Sequence, residues 1–276
     1  MINNNSRVKL AQGAHPFLRA DNVMQFGTDA TRTGLVTTEH AKDVAALLGV
    51  LMRPRRLGWV VEQLAELIDA EAARSLVDDL LSYRVLVPAV KPEVLLVGHG
   101  RLAAAVTARL RECGLDVRTQ ARNEALSKFL LRGDTWVPVA AVNTTALLGE
   151  LAALTRQRQG AVLPVTQVDA RVVVGPVCAR PGPCPLCVRL YLLDRDPNWP
   201  VVEQRAPLSV QGEPIAAAAG AAFAAMSLRR LAGVPDPPGV SAPKPDAGLL
   251  TVVDPFAPNP VSTATLPPHP DCAMCF

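Results

Sequence analysis

The chain has almost no excess of charge of either sign: 28 Lys and Arg face 25 Asp and Glu, leaving a net charge of +3. Proteins that hold nucleic acid by its phosphates usually carry a clear basic surplus, so composition gives no support for a nucleic-acid partner. Long hydrophobic runs are absent too. The longest stretch of small apolar residues, Ile215 to Met226, is Ala-rich and well short of the ~20 residues that cross a bilayer. Met1 to Ser6 are polar and unlike a secretory signal, so the expectation is a soluble, cytoplasmic protein with no membrane partner. Six cysteines are too few to staple a chain of 276 residues, which leaves their role to their spacing. What is abundant is apolar: 49% hydrophobic residues supply core for one large or two small domains.

Three stretches differ in pattern. Residues 1–90 hold ten basic and ten acidic residues. Short candidate strands at Phe17 to Phe26 and Gly34 to Thr38 give way to helical spacing, with helices expected at about 39–51, 56–68 and 70–82. A last strand at Val85 to Val87 completes a winged-helix-like outline. After Pro88 and Pro92, Val94-Leu95-Leu96-Val97 is an uninterrupted apolar run of the kind needed by a strand buried on both faces. A helix from Leu102 to Cys113, the apolar Trp136 to Val142, a helix from Thr145 to Arg158 and a strand from Ala161 to Gln167 continue an α/β alternation. Residues 232–271 hold eleven of the 25 prolines, and an extended, irregular surface course is expected there.

Cys184-Pro185-Leu186-Cys187 and Cys272-Ala273-Met274-Cys275 are two CxxC pairs. A two-residue gap lets both thiolates of a pair reach one ion, and four thiolates complete the closed tetrahedral shell of a structural zinc. Such a site would fasten the Pro-rich tail across the 84 residues between Cys187 and Cys272. Two unrelated pairs or two reducible disulfides are the alternatives. Pro183 and Pro185 suggest an extended stretch with no helix starting at Cys187, which argues against a thioredoxin-type role. His269 either replaces a thiolate, stands behind the ligands or is merely a surface imidazole, while Cys113 and Cys178 read as small buried hydrophobes.

The buried strand runs into Gly98-His99-Gly100-Arg101-Leu102-Ala103, a GxGxxA turn that can bring a phosphate to helix N–H groups, with Gly98, Gly100 and Ala103 as the nucleotide-loop positions. The partner acid is missing. Leu115 to Gln120 ends without the carboxylate that holds a ribose, and residues 135–149 contain no Asp or Glu to hold Mg²⁺. The loop therefore reads as vestigial, and ATP is not expected as a cofactor; the same gap weakens a nicotinamide oxidoreductase.

These features, with Val172-Val173-Val174-Gly175-Pro176, Pro181-Gly182-Pro183, Asp194-Arg195-Asp196-Pro197-Asn198-Trp199-Pro200 and His269-Pro270-Asp271-Cys272, resemble the ThiF/MoeB-like (ubiquitin-activating-like) superfamily. More closely, the chain is similar to its actinobacterial branch of leader peptide-binding or bacteriocin cyclodehydratase proteins, which serve thiazole/oxazole-modified ribosomal peptides (TOMMs). The resemblance implies an α/β fold in two parts: a PqqD-like RiPP recognition element over 1–90, and a ThiF-like Rossmann domain over 91–276 with a zinc-tethered tail. It implies a precursor leader peptide and a YcaO-type cyclodehydratase as partners, and it allows a homodimer. Adenylating members of the superfamily keep acids after the second strand and a later one, where this chain reads Ala140-Ala141-Val142-Asn143. No catalytic residue is assigned.

A leader peptide can add as a strand to a sheet edge. Leu35, Val36 and Thr37 are the expected edge, and Leu76, Leu80 and Tyr83 of the third helix the expected groove floor. The function expected is thus a non-adenylating scaffold that presents a precursor to another enzyme. The alternatives are an adenylating enzyme activating a peptide C-terminal carboxylate, and a transcription regulator whose only basic cluster is Arg53-Pro54-Arg55-Arg56.

Overall fold

The computed structural model describes residues 2–121, 123–205 and 212–276. Met1–Val90 with Pro235–Ala242 make one compact unit, and Lys91–Val234 with Pro243–Phe276 make a second.

The first unit begins with β1 (Arg7–Leu10), β2 (Pro16–Ala20), β3 (Val23–Phe26), a one-turn α1 (Ala30–Thr33) and β4 (Leu35–Thr37). The hairpin of β2 and β3 takes β4 on its far side, in the order β2-β3-β4. Three helices follow: α2 (Ala41–Gly49), then after the two-residue β5 (Arg55–Arg56) come α3 (Leu57–Ala65) and α4 (Ala70–Ser82). Asp69 starts α4 by accepting from the N–H groups of Glu71 and Ala72, the capping that its place before the helical pattern predicts. β6 (Leu86–Pro88) returns to one edge of β1, and β5 takes the other. Val44, Leu48, Val60, Leu64, Val77 and Leu80 recur at helical spacing and meet Met24 and Phe26 in a single core. The sequence pattern does not mark β1 or β5, which are too short to show an alternation.

The second unit runs through β7 (Glu93–Val97), α5 (Arg101–Glu112), β8 (Asp116–Thr119), α6 (Leu126–Leu131), β9 (Val139–Val142), α7 (Leu148–Thr155), β10 (Val162–Val168) and β11 (Arg171–Val174). It continues with α8 (Pro185–Arg195), α9 (Trp199–Arg205), α10 (Pro214–Leu231), β12 (Leu249–Val253) and β13 (Val261–Thr265). The sheet order is β13-β12-β11-β10-β9-β7-β8; β8, β7, β9 and β10 are parallel, and β11 to β13 antiparallel. Alternate residues of β7 serve two cores. Val94 and Leu96 join α5 and α10, whereas Leu95 and Val97 join α6 and α7, so this strand is covered on both faces. The Ala-rich run forms α10, pressed so closely on the sheet that a Cβ on Gly220 would fall 2.4 Å from the Val172 side chain. No described helix is long and apolar enough to cross a membrane.

Two expectations are corrected here. The Pro-rich tail is not irregular throughout, because β12 and β13 extend the sheet; both segments are free of proline, and the prolines lie around them. A helix does begin in the first CxxC pair, since Pro185 occupies its first turn, where no N–H is needed and a fixed φ is an advantage.

Candidate functional site

Cys184, Cys187, Cys272 and Cys275 come together, their sulfurs all within 4.8 Å of one another. The separations are 3.8 Å for Cys184–Cys187 and 3.5 Å for both Cys184–Cys272 and Cys187–Cys275. A disulfide would need about 2.05 Å. Four sulfurs at about 2.3 Å from a central ion lie about 3.8 Å apart along each tetrahedral edge, so the quartet is the right size for a metal ion. Each pair sits in a tight turn. Cys184 precedes the first turn of α8, and the Cys187 N–H points at its sulfur; in the second pair the Met274 N–H points at Cys272. Burial pushes the Cys184 thiol up to about 11 and raises Cys275 further. Burial works the same way at Cys272, but the Met274 N–H and the neighbouring thiols outweigh it and hold that thiol below its usual value. Four thiolates this close repel each other without a cation between them, and a divalent ion removes the conflict.

His269 lies outside the four-cysteine cluster. It is 2% exposed, and its Nε2 lies 2.8 Å from Asp194 Oδ2 while Nδ1 accepts from the Asp271 N–H at 3.1 Å. Those bonds place the proton on Nε2, so that it donates to Asp194. The Tyr191 ring meets the imidazole edge-on at 4.7 Å, and its hydroxyl donates to Pro267 O. One face of α8 thus grips the tail just before the second cysteine pair. The rest of the 194–200 block builds a corner: Asp196 accepts from the Asn198 N–H and leads into α9, where Trp199 Nε1 donates to Glu203. Cys178 is buried and accordingly raised well above an ordinary thiol, and Cys113 is half-buried against the core.

The glycine loop lies between the end of β7 and α5. Gly98 has φ +121°, and a Cβ there would lie 2.0 Å from Val142 O at the end of β9; Gly100, at φ +93°, precedes the helix, and Ala103 is buried beneath it. His99 is exposed. The positions where a nucleotide site needs carboxylates do other work. Asn143, at φ +50°, accepts from the Gln167 N–H at 2.9 Å, and Gln120 Nε2 donates to Glu124 O.

β4 is an edge strand, since β3 pairs with one side of it and no described strand with the other. Thr38 N–H bonds to Asn22 O, so the twofold alternation turns the N–H and C=O groups of Leu35 and Thr37 outward. Leu35 is 49% exposed and Val36 half-buried. On α4, Tyr83 is 64% exposed at the C-terminal end and Leu76 half-buried, whereas Leu80 is 4% exposed and belongs to the core. In the basic cluster, Arg7 donates to Pro54 O and Arg55 stacks over Trp59.

Fold and site together define an α/β chain with a seven-stranded mixed sheet, carrying a four-cysteine cluster able to hold a metal ion. No family model matches the sequence, and no curated protein does. Among solved structures, a heterocyclase in complex with substrate and cofactor superposes with a TM-score of 0.58 at 17% identity, over 98% of this chain and 39% of that one. The heterocyclase TruD gives 0.56 at 14% identity, over 98% and 43%. MccB of E. coli with succinimide gives 0.51 at 10% identity, over 98% of this chain and all of that one. This chain therefore spans about two fifths of the heterocyclases it matches. At these identities the likeness is one of fold.

Proposed function

We propose that this protein captures the leader of a ribosomally made precursor peptide and presents it to a separate YcaO-type cyclodehydratase in the making of thiazole/oxazole-modified peptides. On this reading residues 1–90 are a winged-helix recognition element. The observation that carries it is the open edge of β4, with outward backbone groups at Leu35 and Thr37 and the exposed Leu35 side chain on the same strand. An extended leader adding there gains main-chain hydrogen bonds, and Leu35, Leu76 and Tyr83 select its side chains, with Leu80 supporting them from beneath. The superposed structures include a heterocyclase in complex with substrate and cofactor and the biosynthetic enzyme MccB in complex with N-formylated MccA, which supports this reading. The four cysteines would hold zinc, which supplies a rigid tetrahedral cross-link and no chemistry, because the thiolates fill its shell.

Fluorescence anisotropy with leaders encoded beside this gene tests capture: saturable binding is expected, and none up to about 100 μM overturns it. Thr37→Pro removes one outward N–H from an edge position that tolerates proline, so binding should weaken at least about tenfold with little change in thermal stability. One observation favours a second reading, adenylation of a peptide carboxylate: the Thr144 hydroxyl is buried without a partner, and the same side chain borders Gly98. Pyrophosphate exchange separates the two, and the missing carboxylates predict none.

A further inference from the structure

A cleft of about 620 Å³ opens in the second unit between the end of α7, the segment 178–185 and the second cysteine turn. Among the described residues its wall contains Arg156, Arg158 and Arg180 and no Asp or Glu. Arg158 is 5% exposed, and its guanidinium donates to the backbone carbonyls of Leu130, Asp134 and Val137, with no carboxylate bonded to it. Its Nε is buried without a hydrogen-bond partner. Arg156 and Arg180 are exposed, and neither is ion-paired among the described residues. Three arginines thus line one cleft; the carboxylates that act on the buried Arg158, Asp134 and Glu93, are not among the cleft's lining residues.

We propose that this cleft binds a small oxyanion, a phosphate or phosphomonoester, held by the guanidinium groups of Arg156 and Arg180 in the field of Arg158. The planar fork of arginine matches phosphate oxygens. Pro181, Pro183 and Met274 add an apolar side to the wall, which fits a phosphate carried on a small organic body. Cys184 and Cys275 also border the cleft, and a divalent ion with four thiolates carries a net charge of −2. Arginines present only to offset that charge are the competing explanation, and it makes different predictions.

The test is calorimetric titration of the purified, metal-loaded chain with inorganic phosphate and with phenyl phosphate, in parallel with an Arg156→Gln/Arg180→Gln variant and a single Arg180→Glu variant. Saturable binding near the millimolar range is expected, weakened at least about tenfold in both variants while metal content and melting temperature hold. Tighter binding of phenyl phosphate assigns a phosphomonoester as the ligand, and equal or weaker binding assigns the free anion. No saturation by about 10 mM of either probe overturns the proposal, as does equal binding by wild type and variants. Loss of metal from the variants without any change in phosphate binding also overturns it, and assigns the arginines to the thiolate centre.

Discussion

Replacing Cys272 by Ala removes one of four thiolates, and the consequences can be worked from the chain path. In the folded sheet the Gly248 N–H bonds to Val177 O and the Leu266 N–H to Gly248 O. A metal held by the four cysteines would then close only the stretches from Val177 to Cys184 and from Leu266 to Cys272. That is a loop of roughly 15 residues, whose closure is worth about 3 kcal/mol, or about two orders of magnitude in the opening equilibrium of the tail. Against the fully unfolded chain, the 84 residues between Cys187 and Cys272 count instead. A loop of that length is worth about 4.6 kcal/mol, which lowers the melting temperature by about 9–18 °C for a domain of this size. Local and global measurements should therefore disagree in a defined way. Hydrogen exchange at the amides of Cys272, Cys275 and Phe276, which bond to His269 O and Cys272 O, should accelerate about a hundredfold. The amides of β12 and β13 should stay protected. Elemental analysis should fall from about one equivalent of zinc to a small fraction of one. A full equivalent retained by the Cys272→Ala protein, or exchange in its tail as slow as in the wild type, would refute the cross-link.

His269→Ala removes the bond to Asp194 and strands the Asp271 N–H, a loss of about 1–3 kcal/mol that should appear as a lower melting temperature with the metal still bound; complete loss of metal would make His269 a ligand. Cys184 is protonated at neutral pH without an ion, since burial pushes its thiol up to about 11, so metal uptake must release protons. Affinity should fall as the pH is lowered from about 8 to about 6, and the calorimetric heat should depend on the buffer's ionisation enthalpy; pH-independent affinity would count against thiolate binding. In the metal-free chain the raised Cys184 contributes stability that is present below about pH 9 and lost as the pH climbs towards about 11, which denaturant titration across that range would follow. Gly98→Ala drives a Cβ into Val142 O and should destabilise the protein by at least about 3 kcal/mol, whereas Gly149→Ala, in α7 with nothing within 4 Å, should be neutral or gain up to about 1 kcal/mol; similar melting temperatures for the two would refute the account of the loop.

Features whose cause is local were legible in the sequence, and those that depend on distant partners were not. Val94 to Val97 could be read as a strand buried on both faces because neither side of an alternation carries a polar residue. The CxxC spacing is equally local, since two thiolates three residues apart can share an ion whatever surrounds them. The start of α8 was obscured by Pro183 and Pro185, since proline marks an extended stretch and a helical first turn alike until the cap is seen. Proline density also masked β12 and β13, where the registers Val173–Val252 and Thr251–Thr263 are set by strands that a window on the tail never includes. Asp194 and His269 are 75 residues apart, and no pattern along the chain announces a pair whose geometry exists only after the tail has docked. The arginine cleft is the extreme case: Arg158 and Arg180 look like ordinary surface charges in sequence, and only the fold puts them in one acid-free wall.

The glycine loop shows how the two kinds of feature combine. Its turn is fixed locally by Gly98 and Gly100, yet what the turn can do depends on the ends of β8 and β9. There Gln120 and Asn143 bond backbone groups of their own unit instead of facing a ligand with a carboxylate. Gly98 would be required even if no nucleotide ever bound, because the neighbouring strand leaves no room for a Cβ. The glycine motif is therefore accounted for by packing alone and is not by itself evidence of a nucleotide.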